Sequence, residues 1–254
     1  MPAFSTPAIM LRRIEFGDYD FIITFFALNQ GKVTVIAKSA KKSTKRFSGI
    51  LELFSVLDIV YGSARGKGLP VLKEAVLKQP FSKIRADIKK TAYASYWAEL
   101  VNAWMEKNEK QPKLYYLLRY VLGELDFGNT PESVLSILFQ MRLMAISGHS
   151  PNLRECSICK TQLEEIKKAN LIFDLARGGL VCHNCSHNFS KRIVLSKGTI
   201  KQLLWIEKQD LTKAKRIKFA PQTSNEGLKF LEAFVPYHLG KEPRSLKFLR
   251  QIRV

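Results

Sequence analysis

"GKVTVIAKSAKKSTKRF", residues 31–47, alternates Val33, Val35 and Ala37 with Lys32, Thr34, Ile36 and Lys38 before breaking into a run of cations. A period of two is the pattern of a strand with one buried face, and the charge run marks where that strand ends. Comparable stretches lie on both sides. "AIMLRRIEF" (8–16), "FIITFFAL" (21–28), "KVTVIAKSA" (32–40), "ILELFSVLDIVYG" (50–62) and "LPVLKEAVL" (69–77) make five strand candidates, rich in Ile, Val, Phe and Thr. Turn signals at Gly17-Asp18, Asn29-Gln30-Gly31 and Gly66–Gly68 part them. Strands this short and this closely spaced predict a small Greek-key barrel of the OB type over residues 1–80. An SH3-like barrel has nearly the same periodicity.

After Pro80 the period changes. "FSKIRADIKKTAYASYWAELVNAWMEK" places Ile84, Ile88, Ala92, Tyr96, Leu100 and Trp104 at three- to four-residue spacing, which predicts one long amphipathic helix. "KLYYLLRYVLGELDF" (113–127) predicts a second. A third should open with Thr130 as N-cap, Pro131 at the first helical position and Glu132 in the first turn, and stop near Gly148. Helix returns over 199–209, 225–240 and 245–252. The expected class is α+β: an N-terminal OB-fold β-barrel (1–80), then an all-helical domain (81–254) carrying a zinc-ribbon-like insertion (151–190).

That insertion holds all four cysteines, as Cys156-x-x-Cys159 and Cys182-x-x-Cys185. Each Cys-x-x-Cys turn can aim two sulfurs at one point, and two such turns complete a tetrahedron, so the pattern predicts one structural zinc ion. Four thiolates leave no open position for water, which argues against a catalytic metal. His183 and His187 stand nearby as substitutes for a cysteine, although surface positions suit them better. Between the pairs, "LIFDLARGGLV" (171–181) reads as a hairpin turning at Arg177-Gly178-Gly179.

Forty-one Lys and Arg against 22 Asp and Glu give a net charge of +19. The excess is spread along the chain rather than gathered in a tail, which suits an extended face for a polyanion such as nucleic acid. On the barrel, Arg12, Arg13, Lys38, Lys41, Lys42, Lys45 and Arg46 are candidate DNA contacts, with Arg65 and Lys67 extending the patch. Ser39, Ser43 and Thr44 add hydroxyls, and such a mixture holds phosphate oxygens without reading bases. A second cluster is Lys213, Lys215 and Arg216; a third runs through Lys241, Arg244, Lys247, Arg250 and Arg253. Phe25, Phe26, Phe47, Phe54 and Tyr61 could stack on bases, but a small barrel needs them as core. No Walker loop, nucleophile elbow, His-Glu-x-x-His motif or two-metal carboxylate set occurs, so no enzymatic activity is expected. The first residues lack the pattern of a signal peptide, and no apolar run approaches 18 residues. A cytoplasmic, nucleoid-associated protein is expected.

"GDYDFIITFFALNQGKVTVIAKSAKKSTKRFSGILELFSVLDIVYGSARGKGLPVLKEA" closely resembles the N-terminal domain of the RecO family of recombination mediators. The likeness rests on Asp20, Gly31, Lys32, Ala37, Lys38, Ala40, Lys41 and Lys42, with Arg46 near a basic position of the family. It continues in Leu69, Pro70, Leu72, Glu74 and Ala75, and in Tyr237, Leu239, Gly240, Arg244, Ser245, Phe248 and Leu249 near the end. Ser39 departs from it, standing where a glycine often follows the Ala-Lys pair. The resemblance implies binding of single- and double-stranded DNA and annealing of complementary strands. It implies RecR and the C-terminal tail of the single-stranded-DNA-binding protein as partners, leading to RecA loading. Lys201, Lys208 and Lys229 would rim a helical surface for that tail. The competing reading is a zinc-ribbon and OB-fold RNA-binding or ribosome-associated factor, because OB-folds take either nucleic acid.

Overall fold

The computed structural model describes residues 3–62, 68–186 and 193–253. Contacts divide the chain into two compact units, Met1–Gly128 with Pro243–Val254, and Asn129–Glu242. The packing units are therefore cut elsewhere than at the expected Pro80 boundary, which is where strand gives way to helix.

In the first unit, β1 (Ala3–Phe16), β2 (Asp20–Ala27), β3 (Gly31–Ala37), β4 (Val56–Gly62) and β5 (Leu72–Gln79) form an antiparallel sheet in the order β3-β2-β1-β4-β5. A parallel bridge between Ile36 and Val71, with the Ile36 N–H donating to the Pro70 carbonyl at 2.9 Å, joins β3 to β5 and closes the OB-like barrel. Long β1 serves both halves of the sheet and changes register between Met10 and Arg12. An irregularity there lets one strand bend around a small barrel. The alternation read in 31–37 holds: Val33, Val35 and Ala37 are buried and the residues between them half-buried. Phe25, Phe26, Phe47, Phe54 and Tyr61 are all buried; Phe25, Phe47 and Tyr61 belong to the barrel core, whereas Phe26 packs outside it against Tyr115.

The single helix expected over 81–107 is broken. Asp87, in extended conformation, separates α1 (Ser82–Ala86) from α2 (Ile88–Trp104) and caps α2, its carboxylate accepting from the Lys90 N–H at 3.0 Å. A side chain that bonds the backbone two or three residues on competes with continuing the helix. α3 (Pro112–Phe127) follows, and α8 (Arg244–Ile252) packs on α2, where the Glu99 carboxylate accepts from the N–H groups of Arg244 (3.0 Å) and Ser245 (2.8 Å).

The second unit opens with α4 (Glu132–Ile146). Pro131 occupies the cap position expected of Thr130, its carbonyl accepting from Val134 and Leu135. β6 (Asn152–Cys156), β7 (Asn170–Asp174), β8 (Gly179–Val181) and β9 (Ile193–Ser196) form a sheet in the order β6-β8-β7-β9. The hairpin predicted over 171–181 is β7–β8, with Phe173 opposite Leu180. α5 (Lys197–Lys208), α6 (Leu211–Ala214) and α7 (Pro221–Leu239) complete the unit. Phe173 meets Phe230 and Phe234 of α7 edge-on, with ring centroids 4.7 and 5.4 Å apart, joining sheet to helix. Among the described residues no helix is long and apolar enough to cross a membrane.

Candidate nucleic-acid interface and metal centre

The cations of 38–46 sit on a tight turn at the end of β3. Ser39 adopts a left-handed conformation (φ 55°), which explains why glycine suits that position. Its N–H donates to the Asp20 carboxylate at 2.7 Å, and the Lys41 N–H donates to the Tyr19 carbonyl at 3.0 Å, so the turn is tied to the β1–β2 hairpin. Ser43 Oγ then accepts from the N–H groups of Arg46 (3.1 Å) and Phe47 (3.0 Å), and buried Phe47 anchors the far end. The charge run is thus a fixed loop.

Its cations divide into two sets. Lys41 pairs with Glu15 at 2.8 Å, and this hydrogen bond and charge hold the Glu15 carboxyl below its ordinary range. Arg13 pairs with Glu52 at 3.1 Å; Arg13 and Lys41 both lie over the Phe21 ring, 4.9 and 5.8 Å from its centre. Lys42 Nζ sits 3.5 Å from the centre of the Tyr19 ring. Arg46 donates to the Lys38 carbonyl at 2.9 Å and covers Phe47. These contacts orient the loop. Arg12, Lys38 and Lys45 are exposed, and no described carboxylate pairs with them. Lys213, Lys215 and Arg216 belong to the second unit, on and just after α6; Lys213 pairs with Asp210 at 3.6 Å. Arg65, Lys67 and His187 lie outside the described residues.

Two residues of the "GK" pair do something the sequence did not announce. Gly31 packs so closely on the backbone of Glu109 that a Cβ would stand 1.9 Å from its carbonyl oxygen. Lys32 donates from Nζ to the Asn102 carbonyl at 2.7 Å, and its own carbonyl accepts from the Asn108 N–H at 3.2 Å. Both dock the barrel on the end of α2 and the loop after it.

All four cysteine sulfurs converge, lying within 4.8 Å of one another. Cys156 ends β6, Cys182 follows β8, and Cys185 closes a short turn of 3-10 helix from His183. Cys159 Sγ and Cys182 Sγ are 3.6 Å apart, close to the ~3.8 Å edge of a tetrahedron with ~2.3 Å metal–sulfur bonds. The Cys182 N–H points at Cys156 Sγ (3.3 Å), the contact by which such knuckles stabilise a thiolate. As free thiols they differ: the Thr161 hydroxyl and N–H hold Cys159 at about 6, while hydrogen bonding to Cys182 and burial push Cys185 up to about 12. The cluster can hold a metal ion. His183 is exposed and outside the ligand set.

A closed OB-like barrel with a fixed cationic loop, joined in one chain to a helical unit with a four-cysteine knuckle, defines an OB-fold protein with a candidate metal centre. Comparison with known proteins makes this more specific. Residues 1–81 match the model for "Recombination protein O N terminal" and residues 85–247 that for "Recombination protein O C terminal". The chain is 46% identical to the DNA repair protein RecO of Desulfosudis oleivorans over 259 residues, covering 100% of this chain and 99% of that one. It is 46% identical to RecO of Desulfatibacillum aliphaticivorans (100% and 98% covered) and 35% identical to that of Syntrophus aciditrophicus (98% and 95%). The chain belongs to the RecO family, with a role in DNA repair and recombination.

Proposed function

We propose that this chain is a non-enzymatic recombination mediator that binds single- and double-stranded DNA and anneals complementary strands. With RecR it would help load RecA onto DNA coated by single-stranded-DNA-binding protein. The observation that carries this reading is the set Arg12, Lys38 and Lys45, exposed and without described carboxylate partners on an OB-like barrel where Arg13, Lys41, Lys42 and Arg46 are spent on orienting the loop. Annealing brings two polyanions together, and a cation of +19 can screen both. Lys213, Lys215 and Arg216 are proposed as a second contact, and the helical surface near Lys201, Lys208 and Lys229 as the seat of the acidic partner tail. Zinc is the proposed metal: Cys156, Cys159, Cys182 and Cys185 would hold it, and it would supply cross-linking rather than chemistry.

The test is annealing of complementary oligonucleotides coated with single-stranded-DNA-binding protein, followed across a salt series. Acceleration that fades as salt rises supports the reading. No acceleration, with binding confined to structured RNA, would favour the RNA-binding alternative.

A further inference from the structure

The β1–β2 hairpin leaves three large apolar side chains in water. Phe16 is 52% exposed, Tyr19 44% and Ile14 40%. A single exposed apolar residue is ordinary, but a cluster at one end of one hairpin marks a contact surface. Beyond the irregularity in β1, Arg12, Ile14 and Phe16 alternate along its outward face. Ile14 stands opposite Ile22, and Ile22 opposite Ile36, so an isoleucine row crosses three strands. Toward the other end, Phe26 is fully buried against Tyr115 of α3 (5.9 Å between centroids), so this outward face is sealed there and open at the hairpin.

The charge around the open end is cationic. Arg12 lies on the face itself, Lys38 follows β3, and Lys42 covers one side of the Tyr19 ring. Glu15 is tied to Lys41, and Asp20 accepts from Ser39, which leaves exposed Asp18 as the acidic group at the tip.

Exposed apolar rings at a hairpin end flanked by cations fit a ligand with flat π faces on a phosphate chain. We propose, resting on the reading of the barrel as a DNA-binding surface, that Phe16 and Tyr19 form a stacking platform for unpaired bases. Arg12 and Lys38 take the flanking phosphates. Every base has a π face, so the platform is indifferent to sequence. In a duplex those faces are buried in the stack, and a duplex meets only the cations. The platform therefore confers a preference for single strands that the basic loop alone does not.

The experiment measures affinity for a mixed-sequence single strand and a duplex of equal length, across salt, in the full chain. Phe16→Ala with Tyr19→Ala is expected to weaken single-strand binding about fivefold to a hundredfold, leaving duplex affinity and both salt slopes unchanged. Phe16→Trp, which keeps a ring, should retain the affinity that Phe16→Leu loses. Equal losses for both ligands, or none, would overturn the platform. A parallel Lys38→Ala, Lys45→Ala variant separates the two ideas: it should weaken both ligands and flatten both slopes. If it does while the aromatic variant changes nothing, the platform fails and the DNA-binding barrel stands. If it changes neither ligand, the DNA-binding reading of the barrel fails, and the platform with it.

Discussion

A methyl group on Gly31 has nowhere to go. Its Cβ would lie 1.9 Å from the Glu109 carbonyl oxygen and 2.5 Å from the carbonyl carbon, backbone atoms that cannot swing aside as a side chain would. The residue also sits at φ 66°, where any side chain is strained. Gly31→Ala is expected to cost roughly 2–5 kcal/mol, the sum of left-handed strain and overpacking. Urea unfolding measures it, and a loss under about 1 kcal/mol would mean that the loop after α2 yields. Half of this was legible: Asn29-Gln30-Gly31 reads as a turn between strands. The partner at Glu109 was not, because a contact across so many residues leaves no local pattern. The cysteines were the opposite case, since their spacing alone implied the cluster that the fold assembles. For the cations, sequence gave position but not duty. Nothing in "KSAKKSTKR" separates Lys41, paired with Glu15, from Lys45, which pairs with no described carboxylate.

At the scale of elements, periodicity found long segments and missed short ones. The helices α3, α5, α7 and α8 match their apolar spacing, whereas β6 and β9, five and four residues long, are too short to show a period. The break at Asp87 was hidden because apolar spacing continues across it. The junction of β9 with α5 shows how such short pieces are fixed. Glu226 of α7 accepts from the Ser196 N–H (3.0 Å), Ser196 Oγ (2.8 Å) and Thr199 Oγ1 (2.6 Å), binding strand end, helix cap and neighbouring helix together. Burial opposes its charge, but these hydrogen bonds win and its carboxyl titrates below the ordinary 4.5. A lowered folded value contributes stability above the unfolded pKa and loses it as pH falls through the folded one. Glu226→Gln should therefore cost about 1–2 kcal/mol at pH 7, and the gap from the parent should close below about pH 4.5. Thermal melts of both chains from pH 7 to pH 3 test this; a gap that stays constant with pH would show that charge plays no part.

For the molecule as a whole, the proposed metal at the four cysteines and the aromatic cluster would divide the labour of holding the knuckle sheet, and chelation should expose that division. β7 pairs continuously with β9, and Phe173 lies fully buried against Phe230 and Phe234. This side needs no ion. β6 is held to β8 by only two paired positions, Asn152 with Gly179 and Cys156 with Leu180, with an irregular register between them, helped by the Ser157 N–H on the Leu180 carbonyl (2.7 Å). Pairing this sparse depends on the sulfurs being tied together, because a metal bound only in the folded state contributes its binding energy to that fold. Chelation is thus expected to strip amide protection from 152–161 and 179–185 first, to spare 170–174 and 193–196, and to leave the barrel strands unchanged. Hydrogen exchange read by mass spectrometry resolves these segments, and Cys156→Ser should reproduce the chelated pattern without chelator. Acid should act in the same direction, since protons compete with the metal for thiolates. Uniform loss of protection across the sheet would mean that the metal organises all four strands. No loss at all would mean that the four thiols hold the knuckle without an ion.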